Sequence, residues 1–172
     1  WLHNGLVQLD AEKMSKSLGN LVTIRESLEK YSSDAIRIFS LSSHYRSPLT
    51  YSEEALGAAA RGAERLRQAV HSEGKEEKDE GEIDTDAYRQ RFVEAMDDDF
   101  NTAQALASLF DLAHDINRVS EAGYGVAQAQ QVLVDMAGVL GLTFRLSWTK
   151  PLDVNLFARI STSVYKELNR TD

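Results

Sequence analysis

Two lysines three residues apart, with small hydroxyl residues beside them, are the part of this sequence best suited to chemistry. Lys13 and Lys16 supply two ammonium groups, and Ser15 and Ser17 supply hydroxyls that can hydrogen-bond the same oxygens. Ammonium groups that meet a departing phosphate chain lower the reaction barrier, because they stabilise charge that develops in the transition state. The spacing therefore predicts a loop that binds a polyanion.

The residues on either side indicate how this loop is positioned. Leu6–Leu9 is a short apolar run that predicts a strand, and a helical pattern begins at Ile24 with Thr23 as its N-cap. Gly19 and Asn20 would let the loop swing closed, which is a gating motion. We therefore predict a mobile loop that connects a strand to a helix.

The run Lys13-Met14-Ser15-Lys16-Ser17 resembles the signature loop of the class I aminoacyl-tRNA synthetases. Three further blocks are similar to the cysteinyl-tRNA synthetase family, namely Trp1–Gly5, Ser43–Leu49 with Tyr51–Glu54, and Asp97–Thr102. A basic loop alone is usually a solvated surface turn, but four blocks in the right order make the resemblance specific. The resemblance extends from Trp1 to about Leu142.

This resemblance implies an activity and a role for each loop residue. Enzymes of the family activate cysteine with ATP and then transfer it to tRNA(Cys). On the family pattern Lys16 contacts the ATP phosphates and the departing pyrophosphate, Lys13 assists it, and Met14, Ser15 and Ser17 complete the ATP-binding loop. Magnesium would accompany ATP as its phosphate complex, and the expected location is the cytoplasm.

No metal site is predicted within the chain itself. The resemblance implies zinc in the full-length enzyme, but its ligands would lie upstream, and this chain has no cysteine. We interpret the acidic run Asp97–Asp99 as a helix terminus rather than a metal site. We expect Asp99, Asn101 and Thr102 to supply caps for the next helix.

Composition and charge limit the functions that the chain can have. It has 172 residues, 42% of them hydrophobic, and no cysteine, so disulfides and thiolate zinc sites are excluded. It contains no apolar run of about eighteen residues and no recognisable signal peptide. Residues 1–72 carry nine Lys and Arg against eight Asp and Glu, whereas residues 73–172 carry ten against nineteen. A polyanion would therefore meet the first part more readily.

The apolar periodicity predicts a mainly α fold. The pattern predicts a short strand and two helices within residues 1–49, and the resemblance implies that this part is the end of a catalytic α/β domain with the signature loop and connective helices. Residues 50–145 should form an α-helical bundle. The resemblance implies that this bundle is of the tRNA-binding type and that residues 146–172 begin a truncated C-terminal region. Because a single strand cannot bury itself, we expect the chain to begin inside a fold. The resemblance implies that the upstream half of the active site is not in this chain, so we expect it to be inactive alone.

Cap residues predict where the helices begin and end. Ser33 and Asp34 should cap the second connective helix. Thr50 and Glu53 have the spacing of a capping box for a long helix that ends near Val70, with Ser52 as the alternative cap. Residues 72–84 are predicted to be a mobile, charged linker. Gly123 and Gly125 should make the turn before the last bundle helix, and Gly141 should be the C-cap of that helix. Three arginines of the long helix fit either a solvated face or a stripe that faces tRNA phosphates: Arg61, Arg65 and Arg67.

Two other functions fit the same residues. A cysteine ligase that joins cysteine to an amino sugar shares the signature loop but has no need of tRNA. A non-catalytic helical module that binds tRNA or a protein partner would have no reason to keep a pyrophosphate-binding loop. Salt-dependent binding of tRNA, measured against a duplex RNA, would discriminate between these hypotheses.

Overall fold

A small sheet followed by six helices makes up the part of the chain that the computed structural model describes, which is residues 1–9, 12–13, 22–73 and 82–144. The strands are β1 (Val7–Leu9), β2 (Glu12–Lys13) and β3 (Leu49–Tyr51). The helices are α1 (Ile24–Lys30), α2 (Ser33–Leu41), α3 (Glu53–Val70), α4 (Thr85–Asp97), α5 (Thr102–Glu121) and α6 (Ala127–Val139). The predicted mainly α fold class, with connective helices and a helical bundle, is confirmed.

The sheet has β1 at its centre. β2 runs antiparallel to β1, with Lys13 opposite Gln8, and β3 runs parallel to it, with Leu49 opposite Val7. Parallel neighbours need a crossover connection, which α1 and α2 provide. The strand predicted at the start of the chain is confirmed. β2 and β3 were not predicted, because two and three residues are too few to carry an alternating pattern.

Side-chain caps begin the two connective helices. Thr23 caps α1 as predicted, and together with Glu26 it forms a reciprocal capping box. The predicted cap of α2 is wrong, since Ser32 accepts the hydrogen bond from the N–H of Ala35 and Ser33 is already helical. Ser32 lies one residue before the predicted cap, and at that position its side-chain oxygen lies beside the free N–H groups of the first turn.

Asp34 lies too far into α2 to cap it, and its carboxylate holds the segment that follows α6. The carboxylate is buried and accepts hydrogen bonds from the backbone N–H of Thr143 at 3.2 Å and of Phe144 at 2.7 Å. Arg37, one turn later, lies 3.6 Å away and offsets the buried charge. The end of the bundle is therefore attached to the first turn of α2.

Ser52 caps α3, and the capping box predicted between Thr50 and Glu53 is wrong. The Ser52 hydroxyl accepts from a first-turn N–H at 3.1 Å. Thr50 is in β3, where it pairs with β1. The Glu53 carboxylate accepts from Lys30 at 3.0 Å and from the Tyr31 hydroxyl at 2.6 Å, so it is occupied by the end of α1. Glu53 thus joins α3 to the crossover instead of closing a cap.

The core of the bundle lies among α3, α5 and α6, with α2 and α4 packed against it. Its fully buried large side chains are Leu56 and Leu66 of α3, Leu109, Leu112 and Ile116 of α5, and Leu133 of α6. Each such burial contributes about 1.5–3 kcal/mol. The α3 backbone comes close to α5 at Gly62, where a Cβ atom would lie 3.0 Å from Cζ of Phe110. The four bundle helices predicted from periodicity are present as α3 to α6.

Two glycines end α5 and α6 as predicted. Gly123 has a φ of 85°, and the N–H of Tyr124 after it bonds to the carbonyl of Val119 at 3.2 Å. Gly141, with a φ of 75°, ends α6 with the same hydrogen-bond pattern. This is the Schellman motif, in which a left-handed residue satisfies the last carbonyls of a helix.

Several predictions concern residues outside the described part of the chain. Residues 74–81, the greater part of the predicted linker, lie outside it, and so does the C-terminal region from residue 145 onward. Within the residues that are described, no helix combines the length and the apolar character that a membrane span requires.

Candidate functional site

The signature segment begins within the sheet. The backbone of Lys13 pairs with Gln8 of β1, so the prediction that Lys13 belongs to a loop is wrong for its main chain. The remaining members of the segment lie outside the described residues, and these are Met14, Ser15, Lys16 and Ser17. The β1–β2 pairing fixes where the segment starts, and the roles predicted for its side chains stay predictions.

Residues 44–51 are attached to the strand that leads into the lysines. The N–H of Gly5 donates to the carbonyl of Tyr45 at 2.6 Å, and the N–H of Leu49 donates to the carbonyl of Leu6 at 3.0 Å. Gly5 is required there, because a Cβ atom would overlap the backbone of Ser47. Residues 45–49 therefore lie against Gly5 and Leu6, the two residues that precede β1.

The same residues contact Asp99, in the turn between α4 and α5. Arg46 donates to the carboxylate with two nitrogens, Nε at 2.6 Å and Nη2 at 3.1 Å, and the Tyr45 hydroxyl donates at 2.7 Å. Nε2 of His44 lies 3.1 Å from the carbonyl oxygen of Asp99. The backbone N–H of Arg46 lies 3.3 Å from Nδ1 of His44, so the tautomer with its proton on Nε2 satisfies both contacts. We name His44, Tyr45, Arg46 and Asp99 the Asp99 cluster.

Stacking adds to these hydrogen bonds. The rings of His44 and Tyr45 are stacked with their centroids 4.8 Å apart, and the guanidinium of Arg46 lies 5.1 Å from the centre of the Tyr45 ring. A cation over an aromatic face is attracted by the ring quadrupole. The three side chains therefore present their donors to Asp99 as one ordered group.

Charge complementarity keeps the Asp99 carboxylate ionised. The hydrogen bonds from Arg46, followed by that from Tyr45, lower the pKa of Asp99 to about 2. Burial and the hydrogen bond to Asp99 raise the pKa of Tyr45, and Arg46's own hydrogen bonds to Asp99 raise the pKa of Arg46. The tyrosine thus stays a donor and the carboxylate an acceptor at neutral pH. Among the described residues, no group of three His, Asp or Glu side chains is arranged to hold a metal ion.

The turn that carries Asp99 has a strained backbone. Asp99 and Phe100 both have positive φ, 51° and 55°, and this region costs a non-glycine residue about 1–2 kcal/mol. Asn101 caps α5 as predicted, but Asp99 makes no cap. The Thr102 hydroxyl donates instead to the carbonyl of Leu41, at the end of α2, at 2.9 Å. The turn is therefore attached to residues 41–46 at two places.

The arginines of α3 occupy different environments. Arg67 donates to Glu64 on its own helix at 2.8 Å, and Arg65 lies 5.2 Å from the ring centre of Phe110. Arg61 is exposed to solvent. The pairing of Arg67 agrees with a solvated helix face, and a phosphate-facing role for this stripe stays a prediction.

Comparison with known proteins identifies the two parts that the Asp99 cluster joins. Residues 1–61 match the family model of the tRNA synthetases class I (C) catalytic domain, and residues 91–145 match the DALR domain. A cysteine–tRNA ligase of Dehalococcoides mccartyi strain 195 is 56% identical over 143 residues, which is 83% of this chain and 31% of that relative. Another, from strain BAV1 of the same species, is 50% identical over 169 residues, which is 98% of this chain and 37% of that relative. This chain belongs to the cysteinyl-tRNA synthetase family.

A third relative of this synthetase family comes from a different bacterium. The cysteine–tRNA ligase of Thioalkalivibrio sulfidiphilus is 49% identical over 144 residues, or 83% of this chain and 30% of the relative. The chain therefore spans about a third of the length of the curated relatives that it matches.

The Asp99 cluster connects the two regions of the chain that match the family models. Its residues 44–46 lie in the catalytic-domain match and Asp99 lies in the DALR match. The resemblance drew attention to both blocks, but not to their contact. The third consecutive aspartate is the signal that could have found this contact. Glycine ordinarily occupies a position with positive φ, and a helix cap needs only one side chain, so neither role explains an aspartate at position 99.

Proposed function

We propose that this chain is part of an enzyme that activates cysteine with ATP and transfers it to tRNA(Cys) in the cytoplasm. The observation that carries this proposal is the 50% identity over 169 residues to a protein named cysteine–tRNA ligase. The presence of catalytic-domain and DALR matches in one chain supports it. We propose residues 1–49 as the end of the catalytic domain, residues 50–145 as the tRNA-binding bundle and residues 146–172 as the start of a further region.

Lys16 and Lys13 are the proposed catalytic residues. As the cysteine carboxylate attacks the α-phosphate of ATP, Lys16 would stabilise the negative charge that builds on the departing pyrophosphate, and Lys13 would assist it. Positioning and charge neutralisation supply the rate, since this reaction needs no covalent help from the protein. Ser15 and Ser17 would donate hydroxyls to the same oxygens, and Met14 belongs to the same ATP-binding loop. The pairing of Lys13 with β1 supports these roles, because it holds one end of the segment on the sheet.

Two metals accompany the proposed activity in different ways. Magnesium enters as the phosphate complex of the substrate ATP, and it offsets part of the phosphate charge. Zinc in the full-length enzyme would be held by residues that this cysteine-free chain does not supply. The steps assigned to Lys13 and Lys16 do not depend on zinc.

The first test measures adenylate formation. In a full-length synthetase that carries this chain, Lys16→Ala should lower the rate of cysteine-dependent ATP–pyrophosphate exchange by about 10²–10³, which is the loss expected for one donor to a developing oxyanion. The KM for cysteine should change little. Lys30→Ala is the matched control, because Lys30 is an exposed lysine of α1 that pairs with Glu53 at 3.0 Å. Exchange at the wild-type rate in the Lys16 variant would contradict the assigned role.

The second test measures tRNA binding by this chain. Affinity should fall as salt rises, because contacts from Lys and Arg to phosphates release counterions. A tRNA should bind more tightly than a duplex RNA of equal length, since the proposed ligand is recognised by its shape. Equal affinity for both RNAs would show electrostatic attraction alone, and no binding at all would favour the amino-sugar ligase.

A further inference from the structure

The Asp99 cluster lies where the two matched regions of the chain meet. Arg46 and Tyr45 belong to the region that matches the catalytic domain, and they donate to the Asp99 carboxylate at 2.6–3.1 Å. Thr102 donates to the carbonyl of Leu41. The contacts of Arg46 and Tyr45 join the turn between α4 and α5 to the loop between α2 and β3, and the Thr102 contact joins the start of α5 to the end of α2. This turn is therefore a direct connection between the bundle and the crossover of the sheet.

From the cluster, hydrogen bonds continue to the signature segment. The carbonyl of Tyr45 accepts from Gly5, and Leu49 donates to Leu6, so residues 45–49 lie against the two residues that precede β1 and lead into its pairing with β3. β1 in turn pairs with Lys13 in β2. The α4–α5 turn is thus attached to the sheet through side chains of residues 44–46, whereas Lys13 is held on the sheet by its own backbone pairing with Gln8.

Stability alone does not account for this arrangement. The Asp99 side chain is 43% exposed and that of Arg46 is 52% exposed, and ion pairs with such exposure contribute little to folding. The same residue holds a φ of 51°, which glycine would adopt without strain. Strained residues persist where surrounding contacts determine their conformation, and they concentrate at functional sites. The bidentate contact between Arg46 and Asp99 fixes how these two residues are oriented relative to each other.

We propose that Asp99 is a positioning residue that sets the angle between the helical bundle and the catalytic sheet, so that tRNA held by the bundle presents its reacting end to the activated amino acid. This inference rests on the proposed function, because it concerns the transfer step of that reaction. Asp99 acts through Arg46 and Tyr45 and does not itself touch the substrate. Formation of the adenylate needs ATP and cysteine but not the bundle, so the two half-reactions should respond differently.

Two substitutions at this position test the inference in a full-length synthetase that carries the chain. Asp99→Asn keeps one acceptor for Tyr45 and loses the paired carboxylate oxygens that Arg46 binds. Asp99→Gly removes the whole contact and also removes the backbone strain. In both variants kcat for tRNA charging should fall about tenfold or more, the change that corresponds to losing a hydrogen bond between charged groups. Cysteine-dependent pyrophosphate exchange should stay within about twofold of the wild type, because the ATP site is unchanged.

The controls separate positioning from folding. Asp98→Asn removes the same charge from the adjacent residue and should leave both half-reactions at the wild-type rate. The Tm of Asp99→Gly should change little, because loss of the exposed ion pair is offset by relief of the backbone strain at this residue. In contrast, a merely structural role predicts a lower Tm and an equal loss in both half-reactions, and that result would overturn the inference.

Two further outcomes distinguish this inference from the function on which it rests. If the wild-type enzyme and both Asp99 variants charge tRNA equally well, the inference is overturned and the proposed function stands. A wild-type enzyme that forms no cysteinyl-tRNA would overturn the proposed function and the inference with it.

Discussion

Replacement of Asp34 by alanine should destabilise this chain strongly. The carboxylate is the acceptor for two backbone N–H groups, those of Thr143 and Phe144, at 3.2 and 2.7 Å. A hydrogen bond to a charged group contributes about 1.5–3 kcal/mol, and a buried donor left without a partner costs a similar amount. Water can reach part of this segment once the carboxylate is gone, so we expect a net loss of about 3 kcal/mol. For a chain of this size that loss lowers the Tm by about 6–12 °C.

The matched control for this experiment is Asp86→Ala. Asp86 is also the second residue of its helix, α4, and it is exposed. Both substitutions remove the same favourable interaction with a helix N-terminus, about 0.5 kcal/mol, so the difference between them isolates the contact with residues 143–144. Asp34→Asn keeps one acceptor oxygen and should fall between the two. Thermal and urea unfolding followed by circular dichroism measure all three variants. Equal stability of Asp34→Ala and Asp86→Ala would refute the reasoning.

Two other substitutions and one titration give further checks. Gly62→Ala should destabilise the chain by about 1–3 kcal/mol, because the new methyl group would lie 3.0 Å from Phe110. Gly138→Ala should stabilise it by about 0.5–1 kcal/mol, because nothing lies within 4 Å of the added Cβ. Urea unfolding should therefore give changes in the free energy of unfolding of opposite sign for the two variants. The pKa of Asp99 is lowered by Arg46 from 3.8 to about 2, so its contribution is complete above the unfolded pKa and is lost as pH falls through the folded one. Free energy of unfolding, measured from about pH 4 to pH 2, should therefore fall less steeply in Asp99→Asn than in the wild type.

Local patterns were sufficient to predict the helices. The spacing of apolar residues predicts α3 to α6 because each of these helices buries one face, and a 3.6-residue period records that face directly. Thr23, Asn101, Gly123 and Gly141 were identified as end residues because caps depend on groups only a few positions away. Resemblance, rather than pattern, supplied the roles of the signature lysines.

The contacts that join distant parts of the chain could not be predicted in the same way. Asp34 and Asp99 both look like cap residues, and each binds a partner far away in the sequence, Phe144 in one case and Arg46 in the other. The local sequence does not show which distant residue a carboxylate will contact, so each aspartate was interpreted as a cap of the helix beside it. The error at Glu53 has the same cause, because its carboxylate binds Lys30 and not a neighbouring backbone N–H.

The parallel pairing of β1 with β3 bears on the order in which the chain assembles. Val7 and Leu49 are about forty residues apart, and closing so long a loop costs entropy before any hydrogen bond forms. When α1 and α2 pack they bring the two strands closer together, so we expect the β1–β3 pairing to form late in folding. β1, which holds the start of the signature segment, would then be among the last parts of the chain to become ordered and among the first to open.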